Sequence, residues 1–399
     1  MISAFQELGE QILAKWNDQG QAVAAFQEIA AKALQDSHVL ESVEPAQIID
    51  WLSTASDIPE QFATSFGQPP INVYISEKFY IEVLFWVDGT TAIHEHSFSG
   101  AFGVLAGSSI HSRYNFELHT HVSPEVQVGD IKFTSSELLE RGDIRAIDSG
   151  GNFIHALFHL DRPSISVVVR TKWESNRQFS FLKPYVAYDA RYENKITSTK
   201  LRMLESLNTF DQAAFWDFAH ALLKQEHAWT LLHVLSTAYT RSMDEPDKWN
   251  KLLESANRHH SEHVINCIET SIREESKVKK LTRLRSVIHD SDLRFFLALL
   301  LNIPSRETLL ALVAERFGTS EPEALVVNWI AQMSDRGLFR SKADPVLLDT
   351  IRLAMRYRSF DEARSSWERQ KYEQPVAIEK MKQMWDVAHS SEFLQPLFR

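Results

Sequence analysis

The chain of 399 residues is 44% hydrophobic and 24% charged, the balance of a folded protein rather than a disordered one. At roughly 150 residues per domain its length allows two or three domains, each with a sizeable core. Its 42 basic against 53 acidic side chains leave a net charge of −11, which argues against nucleic acid or an anionic membrane as the main partner. The lone Cys267 excludes an internal disulfide framework and a cysteine-based zinc site, and it fits a reducing cytoplasm. The longest apolar run, Phe295–Leu301, is too short to span a bilayer, and the opening MISAFQELGEQILAKW reads as an amphipathic helix with acids in it, not a signal peptide. The expectation is a soluble cytoplasmic protein with a small-molecule partner, no nucleic-acid or membrane partner, and homo-oligomer formation left open.

In chain order, residues 1–66 carry apolar side chains at helical spacing: Phe5, Leu8, Ile12, Leu13 and Trp16, then Val23, Phe26, Ile29, Ala30 and Leu34. They predict an N-terminal helical segment packed on the strand-rich region after it, broken by Asp57-Ile-Pro and Gly67-Gln-Pro-Pro. Over 67–190 the period becomes two. INVYIS, FYIEVLFWV, AFGVLAG, IHSRYNFEL, EVQVGDIKF, DIRAID, IHALFHL and SISVVVRTKW are eight predicted strands. Turn chemistry separates them at Asp88-Gly89, Gly107-Ser-Ser, Ser123-Pro124, Arg141-Gly-Asp and Ser149-Gly-Gly-Asn. Short strands with no helical period between them predict an antiparallel barrel or double-sheet roll, not a parallel sheet. Residues 195–399 return to the helical period, with Leu204, Leu207, Phe210, Ala214, Phe218 and Leu222, and later Leu309, Leu310, Leu312 and Val313. Their tryptophans and dense apolar stripes predict an all-α domain with a core of its own.

The chemistry concentrates in Lys78–Gly107, KFYIEVLFWVDGTTAIHEHSFSGAFGVLAG. His94 and His96 stand two apart on a predicted strand, so both point to one face and two imidazoles converge without a positioned loop. Interior histidine pairs are costly unless hydrogen-bonded or metal-bound, and imidazole suits Fe, Cu, Zn or Ni. Gly100, Gly103 and Gly107 allow a bend and close strand approach beside them. Glu95 points to the opposite face. On a later predicted strand His155 and His159 lie four apart and share a face if that strand is regular.

Gly89, His94, His96 and Gly107 resemble the first motif of the cupin superfamily. The acid expected after His96 is replaced by Gly100-Ala101, which points to the thiol dioxygenase branch, where three histidines hold iron. Lys78-Phe79, Trp86 and Ile93-His94-x-His96 resemble the matching strand of cysteine dioxygenases, and the spacing on to Gly107 resembles the 3-mercaptopropionate dioxygenase variant. The likeness covers about 80–171. It implies a central cupin roll, an Fe(II) site (another divalent metal being an alternative) and O2 as co-substrate. In that family the third ligand precedes a Pro/Ser-x-Ser strand, which His155 before Pro163-Ser164-Ile165-Ser166 matches best. Of the family's serine–histidine–tyrosine relay only Ser166 is present, with Val168 and Arg170 at the other two positions. The family's early carboxylate-binding arginine has no counterpart in Asn72–Ile75, and the crosslink cysteine position holds Ala101.

Arg170, Tyr80 and Tyr114 are the candidate catalytic residues. A guanidinium at a pocket matches a carboxylate bidentately, while alternation alone does not say which face the tyrosines take. His119 and His121 form a second HxH, but before Val122-Ser-Pro, and read as an exposed hairpin. His259 and His263 sit one helical turn apart on a solvated face; His220, His227 and His233 read as interior histidines, and Cys267 as a small buried hydrophobe. Two functions are compatible with these residues: a three-histidine iron oxygenase acting with O2 on a small, anionic substrate, or a non-catalytic cupin that binds a metal or small ligand and signals through its helical half. A metal-dependent cupin isomerase or lyase is a third, weaker reading.

Overall fold

The structure is a computed structural model that describes residues 2–62, 66–87, 91–172, 174–224, 227–284, 287–336, 345–370, 375–391 and 394–398. The turn at Asp88-Gly89 therefore lies outside the described residues. The chain opens with four helices, α1 (Ile2–Asp18), α2 (Val23–Ser37), α3 (Val39–Ser42) and α4 (Pro45–Thr54). Eleven strands come next: β1 (Pro70–Ile75), β2 (Phe79–Trp86), β3 (Ile93–His96), β4 (Gly100–Ala106), β5 (Ser109–Ser123), β6 (Val126–Leu139), β7 (Ile144–Ile147), β8 (Gly150–His159), β9 (Ser164–Thr171), β10 (Phe179–Leu182) and β11 (Val186–Asp189). Helices follow among the described residues: α5 (Lys195–Phe210), α6 (Gln212–Leu223), α7 (Ala228–Ala238), α8 (Pro246–Asn257), α9 (Glu262–Arg283), α10 (Ser291–Asn302), α11 (Arg306–Phe317), α12 (Pro322–Asp335), α13 (Pro345–Arg356), α14 (Phe360–Gln370) and α15 (Pro375–Ser390). Among the described residues no helix is long and apolar enough to cross a membrane.

Every strand pairing is antiparallel, as the short alternating runs predict. One sheet has the order β1-β2-β9-β4-β7; the other closes on itself as β10-β11-β6-β5-β8-β3. Sequence reasoning missed β10 and β11, because four-residue strands around Pro184 leave too little alternation to register. It also cut the β5–β6 hairpin short at both ends.

Alternation assigns the faces. On β2 and β9, Ile81, Val83, Val167 and Val169 turn outward and pack under Phe5, Leu8, Phe26 and Ala30 of α1 and α2. Glu82, Leu84, Trp86, Ser166, Val168 and Arg170 turn inward. Gly100 on β4 shows why its strand needs a bare backbone: a Cβ there would stand 2.0 Å from the Val169 carbonyl oxygen. Gly100→Ala is expected to cost about 1–3 kcal/mol through forced strand separation, read as a lower Tm; an unchanged Tm would show that β4 is free to move.

Capping side chains define the later helices. Asn194 accepts from the Ile196 and Thr197 amides to start α5, Asp290 does so from Asp292 and Leu293 to start α10, and Pro246 and Pro322 open α8 and α12. One cluster, with Leu353, Ala363, Trp367, Met381 and Trp385, lies wholly within the helices, while two others take in residues of the strand region. Val126, Val128 and Val186 complete the cluster of α5–α9, and Ile110, Phe158 and Leu160 complete that of α10–α13. At these two places the outer face of the closed sheet is apolar and the helices cover it. Arg294, buried on α10, donates from Nε to the Leu160 carbonyl at 2.9 Å and ties the two together.

Candidate metal centre

The register of β3 against β8 builds the site. His94 pairs directly with His155, which puts both side chains on the inner face, and His96, two residues on, shares that face by alternation although the register of β8 shifts beside it. All three are buried, and their ligand nitrogens lie within 4.8 Å of one another. His96 Nε2 and His155 Nε2 are 2.8 Å apart. That is about the separation of two adjacent nitrogens on one divalent ion. Either a shared proton or a metal ion satisfies such a pair.

The ring orientations are fixed from behind. His94 Nδ1–H donates to the Ala92 carbonyl at 2.8 Å, which leaves Nε2 as the acceptor facing the site. His155 Nδ1 stands 3.0 Å from His111 Nε2, and His111 Nδ1 stands 2.8 Å from Glu137 Oε1. Arg145 clamps the same carboxylate through Nε at 2.9 Å and Nη2 at 2.5 Å. Burial alone would raise Glu137, but the bonds from His111 and Arg145 outweigh it and hold the carboxyl at about 2. Ionised Glu137 accepts from His111, so His111 accepts from His155, and His155 Nε2 keeps its lone pair for the site. Burial lowers His94 to about 4 and pushes His96 and His155 well below the ordinary imidazole value, so all three are neutral ligands at pH 7. Glu137→Gln, which loosens this chain, is expected to weaken metal affinity by about 10–100-fold in a metal-competition titration; an unaltered affinity would make the chain structural only.

The inner faces of the two sheets wall the site with Leu84, Trp86, Phe98, Phe102, Ile147, Leu157 and Val168, and supply Glu82, Ser166, Arg170 and Gln178 as polar groups. Arg170 lines this cavity, its guanidinium 3.6 Å from the Phe98 ring centroid and Nη1 3.4 Å from Glu82 Oε1. Burial raises Glu82 above the ordinary carboxyl range, against the pull of Arg170. Ser166 accepts from the Trp86 indole at 3.0 Å.

The remaining candidates separate by position. Tyr80 pairs with Arg170 across β2 and β9 but sits outside the cavity lining, edge-on to Phe62 at 5.1 Å, with burial raising its pKa to about 12. Tyr114 lies apart from the histidines: it pairs with Ile154, which faces away from His155, and it packs outward among Ile93, Ala156 and Phe181. His159 shares the face of His155 but lies roughly 13 Å further along β8. There it stacks on Trp86 at 4.5 Å and bonds Ser109. Glu95 turns its carboxylate to the Phe179 amide, away from the histidines. His119 meets Asp130 at 3.7 Å on an exposed hairpin, as expected of a solvated HxH. Sequence reasoning missed His111, Glu137, Arg145 and Glu82. His111, Arg145 and Glu82 left a trace, as polar residues inside predicted strands, whereas Glu137 lies beyond any of them.

The chain matches no protein-family model and no curated protein. Among solved structures it is similar to one of the DMSP lyases RdDddP and RnDddQII, with 14% identity over 42% of this chain and 93% of that one and a TM-score of 0.24. It is similar to the DMSP lyase DddQ from Ruegeria pomeroyi at 16% identity over 44% and 95%, with a TM-score of 0.24. It is also similar to the hydroquinone 1,2-dioxygenase PnpCD in complex with Cd2+ and 4-hydroxybenzonitrile, at 19% identity over 25% and 62%, with a TM-score of 0.20. At these identities and scores none of the three assigns a fold or a chemistry to this chain.

Proposed function

We propose that this protein is a cupin-type, mononuclear non-haem iron enzyme that acts with O2 on a small anionic substrate. The carrying observation is the convergence of three neutral imidazoles, His94, His96 and His155, with their outward ring nitrogens engaged behind them on His94 and His155. The donor set fits a divalent transition metal: imidazole suits Fe(II), and with Glu95 turned away no carboxylate joins the three histidines. When bound, Fe(II) supplies the Lewis acidity and the redox capacity that chemistry with O2 requires.

The chain itself binds, orients and keeps water out. Ala92 and the His111–Glu137 pair hold the ligand rings in one tautomer. Phe98, Phe102, Leu84 and Val168 make a dry wall, and the free space of about 60 Å³ restricts the substrate to a small molecule. Arg170 offers the cation for a carboxylate, at the expense of its contact with Glu82. Arg170→Met is expected to raise KM for an anionic substrate about tenfold or more, with a smaller change for a neutral analogue. The double variant Arg170→Met with Glu82→Gln controls for the stranded acid; equal kinetics in all three proteins would return Arg170 to a wall residue.

Protein purified without oxygen is expected to carry iron near one ion per chain and to consume O2 with a member of a panel of thiols and small carboxylic acids. Free cysteine is expected to be poor, because Val168 and Arg170 replace the relay. Metal-free protein, or bound iron with no O2 uptake across the panel, would sink the reading. The second of those outcomes favours a ligand-binding cupin that signals through its helices, since α10 packs directly on the back of β5 and β8, the latter carrying His155.

A further inference from the structure

A second, larger cavity of about 560 Å³ lies on the outer face of the closed sheet, where β3, β8 and β10 meet α9 and the end of α10. Strand alternation makes its floor. Because His94 and His155 point inward, Ile93 and Ala156 point outward, and they pack with Phe181 and Tyr114. Val278 and Leu301 add apolar surface from α9 and α10.

Charged side chains line it as well: Glu274, Glu275, Lys279 and Arg283 from α9, and Lys183 from the strand side. Glu274 accepts from Lys277 at 2.9 Å, and Glu275 pairs with Lys279 at 3.6 Å. Lys183, in the turn between β10 and β11, makes no hydrogen bond or ion pair with any described residue. Its ammonium lies 5.9 Å from the Tyr114 ring centroid, on the cavity wall. Burial lowers its pKa, and the two glutamates only partly oppose this. An entering carboxylate would give this ammonium a direct hydrogen-bonded contact while covering the apolar floor.

We propose that this cavity binds a small amphipathic carboxylate, with its head on Lys183 and its hydrocarbon body over Ile93 and Phe181. The site is distinct from the histidine cavity, although Thr91 lines both.

Calorimetric titration of the full chain with octanoate and with 1-octanol tests this. Wild type is expected to bind octanoate at least about tenfold more tightly than octanol, the worth of one charge-assisted hydrogen bond. Lys183→Met is expected to lose that preference while still binding octanol, and Lys183→Arg to keep it. Arg170→Met is expected to bind both as wild type does. Absence of octanoate binding, equal binding of acid and alcohol by wild type, or a preference that survives Lys183→Met overturns the proposal. Loss of the preference in Arg170→Met would place the ligand in the histidine cavity and overturn it equally.

Discussion

His155→Ala is expected to lower metal affinity by more than about 100-fold, beyond the range for loss of an outer hydrogen-bond partner. Two histidines from β3 would remain, and His111 would lose the ring it orients. His159 cannot substitute, because it sits roughly 13 Å along the strand and is held by Trp86 and Ser109. Metal content after identical anaerobic loading checks this, with His159→Ala as the internal control expected to load normally. If His155→Ala retains iron like wild type, or His159→Ala is the variant that loses it, the trio is not the metal centre.

Phe296→Ala is expected to destabilise the protein by about 3–5 kcal/mol. The ring is fully buried on α10, stands 5.5 Å from Trp329, and belongs to the cluster that takes in Ile110, Phe158 and Leu160 of the strands. Because that cluster is shared, strands and helices are expected to melt together, with release of bound metal in the same transition. Differential scanning calorimetry with a metal-release probe checks this. Two separated transitions, with metal kept through the first, would restore the independent helical domain that composition alone suggests.

The antiparallel unit and its inner histidine pair were legible because both depend on local alternation, which a strand writes directly into its sequence. His94 and His96 needed only their spacing. Choosing His155 over His159 needed more: the two share a face, and only the pairing of His94 with His155 separates them. Tyr114 was ambiguous because alternation tells which residues share a face of β5 but not which face turns inward. His111, Glu137 and Arg145 come from three strands, and nothing local announces that they will meet. The shared core was hidden likewise, because an apolar outer face reads the same whether a helix or a second sheet covers it.

All three proposed ligands ride on two neighbouring strands, and that bears on which sequence changes this protein tolerates. A substitution in a helix changes stability by degrees. A single-residue insertion in β8 before His155 would instead exchange the two faces of the strand, sending the histidine out to the helices and an apolar neighbour in toward β3. Length variation among homologous chains should therefore gather in the turns and the helical half, and be absent between Gly150 and His159.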